Sequence, residues 1–108
     1  MQPLQSEQQF NELIQGERVI FLFTAGWCPD CRIIEPVLPE IEEKFNTYQF
    51  VSVDRDQFID ICAEYDIFGI PSFLAFDKGQ EVDRFVSKDR KTQEEIETFF
   101  NRFILINR

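Results

Sequence analysis

Apolar residues along the chain fall into two kinds of spacing, and the alternation between them predicts the elements. Over about 6–15, Phe10, Leu13 and Ile14 share one helical face, Ser6 and Gln9 read as a capping box, and Gly16 closes the segment. Val19-Ile20-Phe21-Leu22-Phe23 is a continuous apolar run whose length and β-propensity predict a strand buried on both faces, as in a parallel sheet. Helical spacing returns over about 29–46 through Ile33, Ile34, Val37, Leu38, Ile41 and Phe45, with a kink expected at Pro36 and Pro39. Phe50 to Asp54 predicts a second strand, and a short helix near 57–65 buries Phe58, Ile61, Cys62 and Tyr65. Pro71 opens a third strand, Ser72 to Phe76. Asp77-Lys78-Gly79-Gln80 is a turn signal, and Glu81 to Ser87 pairs back as a hairpin. A last helix starts near Thr92, with Ile96, Phe99, Phe100 and Phe103 on one face. Parallel βαβ units therefore come first and an antiparallel hairpin last. The pattern predicts an α/β class with a central mixed sheet and helices on both faces.

The elements follow one another at short intervals with no repeat, linker or low-complexity tract, so 108 residues read as a single domain over 1–108. Apolar residues make up 44%, thirteen of them Phe, enough for a packed core. A net charge of -9 leaves no basic stripe for nucleic acid or for an anionic membrane surface. No apolar stretch approaches the roughly 20 residues of a membrane span, and the polar segment Met1 to Phe10 lacks the features of a secretory signal. A cytoplasmic monomer is expected. The three cysteines are too few and odd in number for a secreted disulfide scaffold, and the absence of His removes the commonest neutral-pH base and metal ligand.

Cys28 and Cys31 sit where the buried strand ends and a helix begins. Unpaired backbone N–H groups there favour negative charge, which lowers a thiol pKa from about 8.5 toward about 7. Cys28 is expected to be exposed at the N-cap with its sulfur accepting from the Cys31 N–H; Pro29 suits the first helical position, and Cys31 should be more buried. Three-residue spacing lets the sulfurs close a small disulfide ring, which makes Cys28 the attacking and Cys31 the resolving thiol. A metal half-site is the alternative, but no His or nearby third Cys completes it, and no metal or cofactor is expected. Cys62 reads as a small core hydrophobe on the apolar face of its helix, the alternative being a partly exposed regulatory thiol.

Phe23-Thr24-Ala25-Gly26-Trp27-Cys28-Pro29-Asp30-Cys31, then Pro36, then Gly69-Ile70-Pro71-Ser72, resembles the thioredoxin family, and the order of elements is similar over essentially the whole chain. The resemblance implies the thioredoxin fold and a cis Pro71 facing the cysteines. It also implies a shallow substrate groove lined by Trp27, Pro29, Gly69, Ile70 and Pro71. Three departures stand out. The family's buried acid, six residues before the first cysteine, is Leu22 here; its lysine on the next strand is Phe50; and a groove glycine is replaced near Lys88. Losing both charges together is self-consistent, since a buried pair replaced by apolar residues is often neutral or stabilising. Asp30 distinguishes the motif. At about 7 Å from Cys28 it would disfavour the thiolate by about 1–2 kcal/mol, roughly one pKa unit, opposing the helix terminus and leaving Cys28 near about 7. Asp30 is also a candidate proton relay for Cys31 in place of the missing acid. Arg32 is placed to offset Asp30, to contact substrate or to lie in solvent.

The sequence thus predicts a thiol–disulfide oxidoreductase acting as a reductase on disulfide-containing client proteins. Electrons would come from a flavin- and NADPH-dependent thioredoxin reductase or from a low-molecular-weight thiol. The alternatives are a non-catalytic binding module and a reductase specialised for small disulfides such as cystine.

Overall fold

The computed structural model describes residues 1–87 and 89–106, the last four by backbone alone; the readings at Lys88 and Phe103 lie outside the described residues or side chains. Ser6 caps α1 (Glu7–Leu13) by accepting from the Gln9 N–H at 3.0 Å. The Gln9 side chain reaches back to the Gln5 N–H at 2.7 Å, so the box closes one residue earlier than its usual reciprocal form. The apolar run forms β2 (Val19–Thr24) at the centre of a five-stranded sheet. β1 is Gln2–Pro3, β3 is Gln49–Asp54, β4 is Ser72–Asp77 and β5 is Gln80–Phe85. The order across the sheet is β1-β3-β2-β4-β5. The first three are mutually parallel, β4 runs antiparallel to β2, and β5 antiparallel to β4.

Strand alternation explains why β2 is apolar throughout. Ile20 and Leu22 face one core with Phe50, Phe73 and Phe100, while Val19, Phe21 and Phe23 face a second with Phe10, Phe58 and Ile61. α2 (Pro29–Ile34), α3 (Leu38–Lys44) and α5 (Gln93–Ile106) cover the first face; α1 and α4 (Ile59–Glu64) cover the second. The second predicted helix is broken rather than merely kinked. A 3-10 turn at Glu35–Val37 separates α2 from α3, because Pro36 and Pro39 each lack the N–H that a continuous ladder needs. The hairpin turn uses Lys78 and Gly79 at φ 52° and 88°, the left-handed pair of a two-residue type I′ connection. β5 ends at Phe85, short of the predicted Ser87. The edge strand β1 has no counterpart in the sequence reading, since two exposed residues carry no periodic signal.

Among the described residues no helix is long and apolar enough to cross a membrane.

Candidate active site

The parallel register of β2 and β3 pairs Thr24 with Asp54, so the loops that leave the two strands emerge side by side. The antiparallel pairing of Phe23 with Ser72 brings the start of β4 to the same end of the sheet. Three segments distant in sequence therefore meet beyond the carboxyl end of the central strand, where ligands of open α/β sheets usually bind.

The loop after β2 turns on a Cys28 N–H to Ala25 carbonyl bond of 3.2 Å and leads into α2. Cys28 is the N-cap in extended conformation, and Pro29 takes the first helical position, where a missing N–H costs nothing. The Cys31 N–H donates to the Cys28 sulfur at 3.2 Å. The two sulfurs are joined as a disulfide, with Cα atoms 5.3 Å apart. Ile70 packs on Ala25, Cys28 and Cys31, and its carbonyl oxygen lies 3.8 Å from the Cys28 sulfur. The Ile70–Pro71 peptide bond is cis. Pro71 is buried, and the Gly69 carbonyl accepts from the Ser72 hydroxyl.

Cys28 departs from its expected exposure. It is 4% exposed and Cys31 2%, so the two barely differ. Ala25 and Ile70 close over the bonded sulfurs. The N-cap position was readable from the sequence, but the covering residue comes from a loop some forty positions away.

The polar side chains are set by partners that local spacing did not reveal. Trp27 is 58% exposed, and its indole N–H donates to Asp56 at 2.6 Å while the Arg55 guanidinium sits 5.8 Å from the ring centroid. Asp54 holds the turn that carries Asp56 by accepting from the Asp56 and Gln57 N–H groups at 2.9 and 3.3 Å. Asp30 does not pair with Arg32, which donates to the Gly26 carbonyl at 2.9 Å. It accepts instead from the Arg90 guanidinium at 2.9 Å, sixty residues along the chain. Lys91 beside it is 2% exposed. Its ammonium donates to the Ser87 and Asp89 carbonyls at 3.3 Å each and lies 5.1 Å from the Phe85 ring centroid. Desolvation by burial holds Lys91 below the ordinary lysine range, opposed by Asp89, Glu95 and Asp30. A run reading Asp89-Arg90-Lys91 looks like a solvated loop in sequence; only opposite charge to Asp30 could have hinted at the contact.

Leu22 and Phe50 are both buried in the core beneath α2, α3 and α5, so the two family charge positions are apolar together. Cys62 lies in the other core, and burial pushes its thiol up. Among the described residues no group of three or more His, Cys, Asp or Glu side chains could hold a metal ion. A cavity of about 450 Å³ opens on the Cys31 side, lined by Thr24, Ala25, Gly26, Cys31, Arg32 and Glu35.

A sequence model described as thioredoxin matches residues 2–102. A thioredoxin H-type of Fagopyrum esculentum is 39% identical over 84 residues, covering 73% of this chain and 72% of its own. Thioredoxin of Oryctolagus cuniculus is 34% identical over 94 residues, covering 84% and 90%. The crystal structure of thioredoxin from Trypanosoma brucei brucei superposes with a TM-score of 0.84 at 22% identity, over 95% of this chain and 89% of that one, which shows the shared fold. Together with the bonded Cys28–Cys31 pair that follows Trp27 at the start of α2, these matches place the chain in the thioredoxin family, and it is a thiol–disulfide oxidoreductase.

Proposed function

We propose that the chain is a single-domain cytoplasmic disulfide reductase in which Cys28 attacks and Cys31 resolves. The observation that carries this reading is the 3.2 Å contact from the Cys31 N–H to the Cys28 sulfur at the start of α2. The same backbone donor that meets the bonded sulfur is aimed at the thiolate that replaces it on reduction, and thiolate is the nucleophilic form. The Cys28 thiolate attacks one sulfur of a client disulfide. A Cys28–client bond forms, the client S–S bond breaks, and the other client sulfur leaves as thiolate. Cys31, deprotonated, then attacks the Cys28 sulfur; the Cys28–Cys31 bond forms and the second client thiolate departs. Two electrons have passed to the client. A thioredoxin reductase or a low-molecular-weight thiol returns them, and a cytosolic poise of about -250 mV holds the pair reduced between cycles. Neither nucleic acid nor a membrane is a partner in this reading, and the protein works as a monomer.

Trp27, Pro29 and the Gly69-Ile70-Pro71 segment form the client-contacting surface in this reading. Trp27 and Pro29 are exposed beside Cys28, and the main chain of Ile70 borders the reactive sulfur. Asp30 is the proposed proton relay for Cys31, since Leu22 stands where the family has its acid and Phe50 where it has the partner lysine. Asp30→Asn should lower the Cys28 pKa yet slow release of mixed disulfides; release at the wild-type rate rules the relay out.

The reading as a whole is tested with insulin and cystine as substrates and dithiothreitol as reductant. Reduction of insulin, lost in Cys28→Ser, is the expected result. Activity on cystine alone would restrict the enzyme to small disulfides. Inactivity on both, with retained binding of thiol proteins, would make it a docking module and overturn the proposal.

A further inference from the structure

Asp30 stands between the two cysteines, so its charge bears directly on whether Cys28 ionises. Charged groups approach this site from three sides. α2 brings Asp30 and Arg32, and the 3-10 turn after it Glu35, with Arg32 turned to the Gly26 carbonyl. The loop after β3 brings Arg55 and Asp56, which are engaged with Trp27. The segment before α5 brings Asp89, Arg90 and Lys91, and Glu95 follows it. Asp30 forms its described ion pair with Arg90, at 2.9 Å, and the buried Lys91 ammonium interacts with it electrostatically as well.

The presentation of Arg90 is built, not incidental. On its C-terminal side Thr92 and Glu95 form a capping box: the Thr92 N–H donates to the Glu95 carboxylate at 3.1 Å, and the Glu95 N–H to the Thr92 hydroxyl at 3.1 Å. This fixes where α5 begins. On the other flank the buried Lys91 ammonium gathers the Ser87 and Asp89 carbonyls against the Phe85 ring, which ties the segment to the end of β5. Burying a lysine is costly, and burying it with two carbonyl acceptors and an aromatic face defrays part of that cost. Both devices hold Arg90 where its side chain reaches Asp30.

We propose that Arg90 is a positioning residue of the redox centre: by pairing with Asp30, the carboxylate in the helical turn that Cys28 caps, it offsets that charge and so keeps the Cys28 thiolate populated near neutral pH. The inference rests on Cys28 being the attacking thiol. An exposed ion pair adds little to stability, so unfolding experiments are not the readout; the ionisation of Cys28 is.

The experiment measures iodoacetamide alkylation of the fully reduced protein against pH in wild type, Arg90→Gln, Arg90→Lys, Asp30→Asn and Asp30→Asn/Arg90→Gln, with the modified cysteine identified by mass spectrometry. Arg90→Gln should raise the Cys28 pKa by about half a unit, an about three-fold slower reaction below the pKa. Arg90→Lys should restore most of the rate, since it keeps the charge. In the Asp30→Asn background, where Arg90 has lost its anchor, Arg90→Gln should change the rate little. No shift on Arg90→Gln would reduce the contact to an ordinary surface pair and overturn the proposal. Equal shifts in both backgrounds would overturn it too, because Arg90 would then act as a distant charge and not through Asp30. Preferential labelling of another cysteine would instead sink the assignment of Cys28 on which the proposal stands, a failure distinct from the other two.

Discussion

Replacing Cys31 with Ser is expected to stop multiple turnover while leaving the first attack intact, so that client proteins accumulate as mixed disulfides on Cys28. The geometry explains why the loss is large. The second sulfur is delivered by the same helical turn, with Cα atoms 5.3 Å apart and the Cys31 N–H already directed at Cys28. Well-oriented intramolecular groups act at effective concentrations of about 10⁵ M or more, whereas an external thiol at about 1 mM must diffuse in. Discounting generously for imperfect alignment, turnover should fall about 10³-fold or more. A Ser hydroxyl at Cys31 keeps the size and the backbone donor but cannot supply a sulfur nucleophile at neutral pH. Non-reducing gels after incubation with oxidised clients should show covalent adducts that dithiothreitol dissolves. Cys28→Ser should show none. Adducts that form equally on Cys28→Ser, or insulin reduction by Cys31→Ser at the wild-type rate, would reverse or remove the assigned roles.

Much of this site was legible because its central parts are local. A buried apolar strand that stops, a Cys-x-x-Cys pair with Pro29 between, and helical spacing beyond it define a helix start, and backbone geometry at a helix start follows from chain chemistry alone. The sheet was legible for a related reason: β2 must be apolar on both sides if helices cover both faces, and its neighbours must be short enough to match it. What stayed hidden depends on register between distant segments. Ile70 covers Cys28 only because Phe23 pairs with Ser72, and Asp56 reaches Trp27 only because Thr24 pairs with Asp54. The Asp30–Arg90 contact depends on where α5 begins. The burial of Lys91 runs against composition-based expectation, since an ammonium is buried only where acceptors await it, and those acceptors are backbone carbonyls that no residue type announces.

The pair Leu22 and Phe50 leads to a second large effect, on stability. Leu22 is 3% exposed and shares its core with Ile20, Phe50 and Phe73; in the sheet it pairs with Phe73 on one side and Ser52 on the other. Restoring the family acid as Leu22→Asp would place a carboxyl among these groups with no cation from Phe50 to meet it. Desolvation would raise its folded-state pKa well above the unfolded value of about 3.9. The sign follows from proton counting. Above about pH 4 the unfolded chain releases the proton and the folded one keeps it. Stability should then fall by about 1.4 kcal/mol per pH unit until the folded carboxyl ionises. By neutral pH the loss should reach about 4 kcal/mol, a large share of the roughly 5–15 kcal/mol that holds a domain together. Leu22→Asn separates the two contributions, because it loses the Leu packing and adds a polar group without any titration in this range. Urea denaturation at about pH 4.5 and about pH 7.5 should therefore show a steep drop for Leu22→Asp and nearly parallel behaviour for wild type and Leu22→Asn. Adding Phe50→Lys to Leu22→Asp should flatten the drop, although the Phe50–Phe100 ring contact at 5.6 Å between centroids is lost with it. A Leu22→Asp protein whose stability is the same at both pH values would mean that solvent or a cation reaches the carboxyl. The interior beneath α2 would then accept an acid, and the case for moving the Cys31 proton by way of Asp30 at the surface would lose its physical reason.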